Sequence, residues 1–232
     1  MTDPAPRRTL AALGATVVAL AAFNVVRSTV LPDGWDLAAN VAMAGVVALL
    51  ALWAALTADE LGLQRSGVRP GLTWGAAAFG LVLAVLVVAA LVPATRGMFD
   101  DDRAEIGLLQ FVGEIGISVP FGTVLLEELA FRGSILGLLR RRVRTWVAVV
   151  VSSVLFGCWH IAPAITSAGA NDAVAGAGIS VTGNVIGTVL ATFVAGLVFC
   201  WLRLRSTSLL APMLAHLGTN SIAFTIAWIL AH

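Results

Sequence analysis

The stretch GLTWGAAAFGLVLAVLVVAALV, residues 71–92, contains no charged residue. It is long enough to cross the hydrocarbon core of a bilayer, which is about 30 Å thick and needs about 20 apolar residues in a helix. Further apolar runs flank it on both sides, near residues 9–30, 37–58, 119–139, 145–163, 181–202 and 209–230. The sequence therefore predicts an all-α, polytopic membrane protein with seven transmembrane helices.

The composition excludes a soluble globular enzyme. Of the 232 residues, 59% are hydrophobic and 12% are charged, whereas an ordinary soluble domain is about 45–50% apolar and about 25% charged. No soluble domain or internal repeat interrupts the apolar runs, so we expect residues 1–232 to form a single membrane domain in contact with the lipid bilayer. All 14 basic residues are Arg, and they do not indicate a nucleic-acid partner.

The segment before the fourth run has two interpretations. In residues 104–118 the polar side chains of Glu105, Gln110 and Glu114 break the apolar pattern. Pro120 then predicts a break or kink, because proline lacks the backbone N–H of a helix interior. The segment is either an interfacial helix, which would be an eighth element, or an extension of the fourth span.

The distribution of arginine predicts the orientation in the membrane, because cytoplasmic loops carry an excess of positive charge. Arginines are concentrated before the first run and after the second, fourth and sixth runs: Arg7, Arg8, Arg65, Arg69, Arg140, Arg141, Arg142, Arg144, Arg203 and Arg205. The opposite loops contain Arg27, Arg96, Arg103, the acidic residues 100–102 and a small-residue loop around Asn171 and Asp172. We therefore predict a multi-pass protein of the plasma membrane with a cytoplasmic N-terminus.

Three of the predicted spans contain polar groups that are costly in hydrocarbon. An ionised group at a helix centre costs about 2.5–3.5 kcal/mol on insertion scales. The groups are Glu127, Glu128 and Arg132 in the fourth span, His160 in the fifth, and His216 and Asn220 in the seventh. At about 1.5 Å of rise per residue, four of them lie roughly 16–24 Å from the nearest Arg cluster, namely Glu127, His160, His216 and Asn220. These four could share one cavity.

The spacing within the fourth span predicts different roles for the carboxylates of Glu127 and Glu128. Glu128 and Arg132 are four residues apart, so they can form an ion pair on one helix face. Glu127 points to another face and is the better candidate for a free, reactive carboxylate. His216 and Asn220 are also four residues apart and can donate two N–H groups to one ligand atom. Phe156 has the same spacing from His160 and is expected to pack beside its ring.

These residue types fit a hydrolytic site. A carboxylate and a histidine can hold and deprotonate a water molecule, while a second histidine and an amide can stabilise an oxyanion. Peptide hydrolysis is the reaction that this set favours. Zinc held by Glu127, His160 and His216 is an alternative, because two histidines and a carboxylate match a catalytic zinc site. Two other classes stay open: a proton- or ion-coupled transporter that uses the buried groups as a relay, and a non-catalytic immunity or scaffold protein.

Three short motifs occur in this order on separate apolar runs: EELAFR at residues 127–132, FGCWH at 156–160 and HLGTN at 216–220. They resemble the EExxxR, FxxxH and HxxxN motifs of the CAAX-protease and bacteriocin-processing family, also called the abortive-infection family. Its members are intramembrane glutamic endopeptidases. The resemblance covers residues 119–225, which we expect to form the catalytic core, and residues 1–118 have no assigned role.

The resemblance implies a role for each matched residue. Glu127 and His160 would activate water, and His216 and Asn220 would form the oxyanion hole. Glu128 and Arg132 would support the site by pairing. The enzyme would need no cofactor, and its substrate would be a membrane-associated protein or peptide, prenylated or not. We also expect the chain to come from a bacterium. The motifs do not indicate an oligomeric state.

Overall fold

The computed structural model describes residues 6–32, 34–167 and 180–232. Within these ranges the chain is helical without strands, and seven helices are long and apolar enough to cross a membrane. We number them α1 (Pro6–Thr29), α2 (Asp36–Trp53), α3 (Val68–Leu91), α4 (Leu108–Arg140), α5 (Thr145–Trp159), α6 (Val181–Ser206) and α7 (Leu210–Ala231). The prediction of an all-α, multi-pass membrane protein is confirmed. The predicted loop around Asn171 and Asp172 lies outside the described residues.

Short helical elements connect several of these spans. Ala58–Leu61 follows α2, Pro93–Arg96 follows α3, and Ile161–Ser167 follows α5. The apolar run at 145–163 had predicted an uninterrupted helix, but α5 ends at Trp159 and the backbone turns at His160 before the next short helix begins. His160 therefore lies at a helix end.

Helix α4 continues through Pro120, so of the predicted break or kink at this residue the break does not occur. Residues from Leu108 onward extend the fourth span, and they form neither an interfacial helix nor an eighth span in the described part of the chain. The backbone is π-helical over Glu114–Val124, the segment that contains Pro120. In a π-helix each hydrogen bond reaches one residue further than in an α-helix. This wider turn accommodates a residue that would otherwise remove an α-helical hydrogen bond and clash with the preceding turn.

A second π-helical segment of α4, Glu128–Ile135, covers most of the EELAFR motif. A single α-helical turn, Leu125–Glu127, separates the two π-helical segments. Such segments are rare in proteins and occur often at functional sites. The irregular backbone of α4 thus coincides with the acidic residues that the sequence singled out.

The Arg-rich segments lie together at one end of the helix bundle. Arg141, after α4, donates to both carboxylate oxygens of Glu60 at 2.6 Å and to the Ala54 carbonyl oxygen at 2.9 Å. Arg203 near the end of α6 donates to the carbonyl oxygens of Asp59 and Glu60 at 2.9 and 3.0 Å. These bonds connect the ends of α2, α4 and α6, as the predicted topology requires.

The core lies around α4, directly beside the polar motifs. Side chains of α1, α2, α4, α5 and α6 form one buried apolar cluster, which includes Leu20, Val47, Leu126, Phe131, Ile135, Phe156, Trp159 and Cys200. Interiors of this kind are closely packed and hold their side chains in fixed positions. The cluster therefore fixes the rotation of α4 and α5 about their axes, and with it the direction of the motif residues.

Candidate active site

The carboxylate of Glu127 lies between two imidazole rings and an indole. The residue is 5% exposed. Its Oε1 accepts a hydrogen bond of 3.0 Å from Nε1 of Trp159. Its Oε2 lies 3.9 Å from Nε2 of His160 and 3.8 Å from Nε2 of His216. Among the described residues this buried oxygen has no hydrogen-bond partner.

The other ring nitrogen of each histidine is fixed by an acceptor. Nδ1 of His160 lies 2.8 Å from the carbonyl oxygen of Phe156, and Nδ1 of His216 lies 2.8 Å from Oε1 of Glu128. Carbonyl and carboxylate oxygens only accept, so each Nδ1 carries the proton and donates. Each Nε2 is then directed toward Glu127, where it can accept a proton or, once protonated, donate one.

Glu128 and Arg132 form the expected ion pair, fully buried beneath the histidines. Nη1 of Arg132 donates to Oε1 of Glu128 at 2.8 Å, and both side chains are inaccessible. The guanidinium lies between two phenyl rings, 3.9 Å from the centroid of Phe156 and 4.9 Å from that of Phe199. Such cation–π contacts stabilise a desolvated guanidinium. The ring of His216 also stacks on Phe199, at a centroid distance of 5.2 Å.

A cavity of about 980 Å³ reaches this site. Glu127, Trp159, His160 and Asn220 all contribute to its wall. The amide oxygen of Asn220 lies 3.5 Å from the donor hydroxyl of Thr219. His216 is only 4% exposed. The cavity volume of about 980 Å³ is large enough for several residues of a peptide beside the Glu127 carboxylate.

The structure brings the predicted residues of three helices into one place. Glu127 of α4, His160 after α5 and His216 of α7 meet around a single carboxylate oxygen. Asn220 lines the same cavity, one turn beyond His216. Phe156 packs against the His160 ring edge-to-face, with centroids 4.7 Å apart, as the spacing predicted.

Sequence reasoning missed Trp159 and Phe199. One signal for Trp159 was present, because a buried indole needs an acceptor for its N–H. Trp159 lies inside the FGCWH motif, directly before His160, whereas Trp35, Trp74 and Trp146 lie outside the three motifs. Nothing in the sequence of α6 distinguishes Phe199 from its apolar neighbours.

The described part of the chain does not contain a set of side chains arranged as zinc ligands, which the zinc alternative requires. No three His, Cys, Asp or Glu side chains there are arranged to hold a metal ion. Catalytic zinc binds histidine nitrogen and carboxylate oxygen at about 2.0–2.2 Å, with the ligands turned toward the metal. We therefore derive no reaction step through a metal.

Replacing Trp159 by Phe tests whether the indole N–H positions Glu127. A hydrogen bond to a charged acceptor contributes about 1.5–3 kcal/mol, so we expect kcat of any reaction that uses the Glu127 carboxylate to fall roughly 10- to 100-fold. The lost bond is to Glu127 and not to a ligand, so kcat should change more than KM. The matched control is Trp146→Phe, at a side chain that is 65% exposed. Equal kcat values in the two variants would contradict a positioning role for Trp159.

Comparison with known families agrees with the motifs. Residues 112–222 match the family model described as Type II CAAX prenyl endopeptidase Rce1-like. This segment includes all three motifs and most of the core predicted at 119–225. No curated protein and no solved structure matches the chain closely. Residues 112–222 of the chain thus match the Rce1-like family of CAAX-type endopeptidases, a family of membrane proteases.

Proposed function

We propose that this protein is an intramembrane glutamic endopeptidase, which hydrolyses a peptide bond in a membrane-associated protein or peptide. The observation that carries the proposal is the position of Glu127 Oε2. This oxygen is buried, has no hydrogen-bond partner among the described residues, and faces two imidazole nitrogens at 3.8 and 3.9 Å. The Glu127 residue also lines a cavity that can hold a peptide.

The separation of 3.9 Å between Glu127 Oε2 and His160 Nε2 is too long for a direct hydrogen bond. In the proposed site one water molecule bridges the two atoms, since hydrogen bonds of about 2.8 Å from one oxygen to each of them can span such a gap. In the proposed reaction this water attacks the scissile carbonyl carbon while Glu127 accepts its proton. His160 holds the water in position through its Nε2 lone pair.

The developing oxyanion needs donors, and Asn220 and His216 are the candidates for this role. The Asn220 amide lines the cavity, and His216 can donate from Nε2 when that nitrogen is protonated. Glu128 would stabilise the resulting imidazolium through Nδ1. Collapse of the tetrahedral intermediate breaks the C–N bond, and Glu127 returns the proton to the leaving amine.

The surroundings of the two glutamates explain why Glu127 and not Glu128 is the proposed base. Oε1 of Glu128 already accepts from Arg132 and His216, and the residue is 0% exposed. Glu127 accepts one bond from Trp159 and borders the cavity. A general base must be within reach of the proton that it abstracts. Of the two glutamates, only Glu127 meets this condition.

The proposal is tested with the purified chain in detergent and a library of internally quenched peptides. Asn220→Ala should lower kcat by about 10²–10³-fold, the effect of losing one oxyanion donor. Glu105→Gln, at an exposed acid outside the cavity, should leave hydrolysis unchanged. Failure of the folded wild-type chain to cleave any peptide would contradict the proposal and favour the scaffold or transporter alternatives. Loss of cleavage with a chelator, restored by zinc, would instead support the metal alternative.

A further inference from the structure

We propose that the active-site cavity receives its substrate from the extracytoplasmic side of the membrane. The bond that is cleaved would then lie in a polypeptide segment at or just inside that surface. This inference rests on the proposed function, because it assigns a substrate class to the same site. It has a separate experimental test, since access to the cavity can be measured without hydrolysis.

The cavity is formed by one half of the helix bundle. Its wall includes Arg27 near the end of α1 and Leu37 near the start of α2. It also includes Asp101 from the connection between α3 and α4, the first half of α4, and Ala227 near the end of α7. With alternating helix directions, all these segments lie at the same end of the bundle.

The Arg-rich segments lie at the other end. They are the start of α1, the end of α2, the start of α3, the ends of α4 and α6, and their connections. Arg8 of α1 lies over the ring of Trp53 at the end of α2, at 5.9 Å, and Arg205 of α6 lies over Trp74 of α3, at 5.3 Å. These contacts show that the arginines counted in the sequence cluster on one surface. The positive-inside rule places that surface in the cytoplasm.

Packed side chains close the route from the cytoplasmic end to Glu127. In α4, the residues that follow the motif toward this end are buried: Ala130, Phe131, Ile135, Leu136 and Leu138 are all at most 3% exposed. Beyond them lie the buried Arg141–Glu60 pair and Arg203. Protein interiors packed at this density leave no room for a peptide. The packed half therefore offers water and substrate no entry, and the cavity lies in the opposite half of the bundle.

The mouth of the cavity carries charged groups that suit an aqueous surface. Arg103 donates to both carboxylate oxygens of Asp101 at 2.8 and 2.6 Å, and the Arg103 side chain is largely exposed. Burial raises the pKa of Asp101, but the hydrogen bonds and positive charge of Arg103 outweigh it, so that this pKa lies below its usual range. The pair therefore stays ionised at neutral pH. Arg27 and Asp36 form a second ion pair at this end, at 2.9 Å.

A substrate class follows from this geometry. A polypeptide that ends or loops in the cytoplasm could not reach Glu127, because the closed half of the bundle lies between them. A secreted or membrane-anchored chain could reach it with a segment on the outer surface. The cavity volume of about 980 Å³ would accept an extended segment of such a chain.

Cysteine accessibility in oriented membranes tests the side of access. The two native cysteines, Cys158 and Cys200, are first replaced by Ala. A single cysteine is then introduced into the cavity wall as Ser118→Cys or Ala223→Cys. A membrane-impermeant maleimide is added to spheroplasts, whose outer surface is exposed, and to inverted membrane vesicles. The reference positions are Asp102→Cys for the outer surface and Ser66→Cys for the cytoplasmic one, both at exposed residues.

We expect both cavity cysteines to react in spheroplasts, like Asp102→Cys, and to lose labelling in inverted vesicles, where Ser66→Cys reacts. Cavity labelling in inverted vesicles would overturn the proposal, and so would absence of cavity labelling in spheroplasts in which Asp102→Cys reacts. Labelling needs no catalysis. An outward-facing cavity without peptidase activity would therefore disprove the proposed function and leave the sidedness standing.

Discussion

Glu127→Gln is expected to lower kcat/KM for peptide hydrolysis by about 10²–10⁴-fold, the contribution of a positioned general base. The amide cannot accept the proton of the attacking water. It has nearly the same shape as the carboxylate, and its oxygen can still accept the hydrogen bond from Trp159. The fold should therefore persist. Initial rates on a cleaved library peptide, together with thermal unfolding in the same detergent, measure both effects.

Glu105→Gln is the matched control, since it makes the same chemical change at an exposed residue outside the cavity. It should retain wild-type kcat/KM. Undiminished hydrolysis by a folded Glu127→Gln protein would remove Glu127 from the mechanism. In that case the unpaired acid would belong to a structural network, as in the scaffold alternative.

Arg132→Met is expected to destabilise the protein by about 3–5 kcal/mol, the usual cost of removing one partner of a buried ion pair. Glu128 is 0% exposed and would keep only the bond from His216. Methionine fills much of the space between Phe156 and Phe199, so the lost charge dominates over the lost volume. Unfolding free energy in detergent or bicelles measures the change.

The double variant Glu128→Gln with Arg132→Met separates charge from packing. Its neutral amide can still accept from His216, and no unpaired carboxylate is left in the interior. We expect it to recover much of the stability lost in Arg132→Met, because replacing a whole buried ion pair is often tolerated. A double variant as unstable as the single one would show that guanidinium packing, and not charge pairing, stabilises this region.

The helical architecture was predictable because the bilayer requires long apolar runs. The ends of most spans agree with those runs to within a few residues. Helix α4 is the exception, since it begins at Leu108 and passes through Pro120. Local rules predict a break at a proline. They do not include the wider π-helical turn that the surrounding helices support here.

The grouping of the site residues was partly predictable. The distance of each residue from the Arg clusters predicted that Glu127, His160 and His216 lie at a similar depth in the membrane. The four-residue spacing predicted the Glu128–Arg132 pair. Rotation of each helix about its own axis could not be derived from depth. That rotation decides that Trp159, and not a neighbour on α5, donates to the Glu127 carboxylate.

The cavity and its open end also required the structure. The side of a bundle that is left unfilled depends on side chains from several distant segments, such as Asp101 and Ala227. The arginine pattern alone predicted the orientation of the helices. It did not indicate which end of the bundle is hollow.

The most direct test is an experimental structure of the chain in lipid at a resolution that shows ordered water. We predict that Glu127 Oε2 lies within about 4 Å of Nε2 of both His160 and His216, with a water molecule hydrogen-bonded to Glu127 and His160. Imidazole rings turned toward the acyl chains, or a dry contact with no room for solvent beside Glu127, would contradict it.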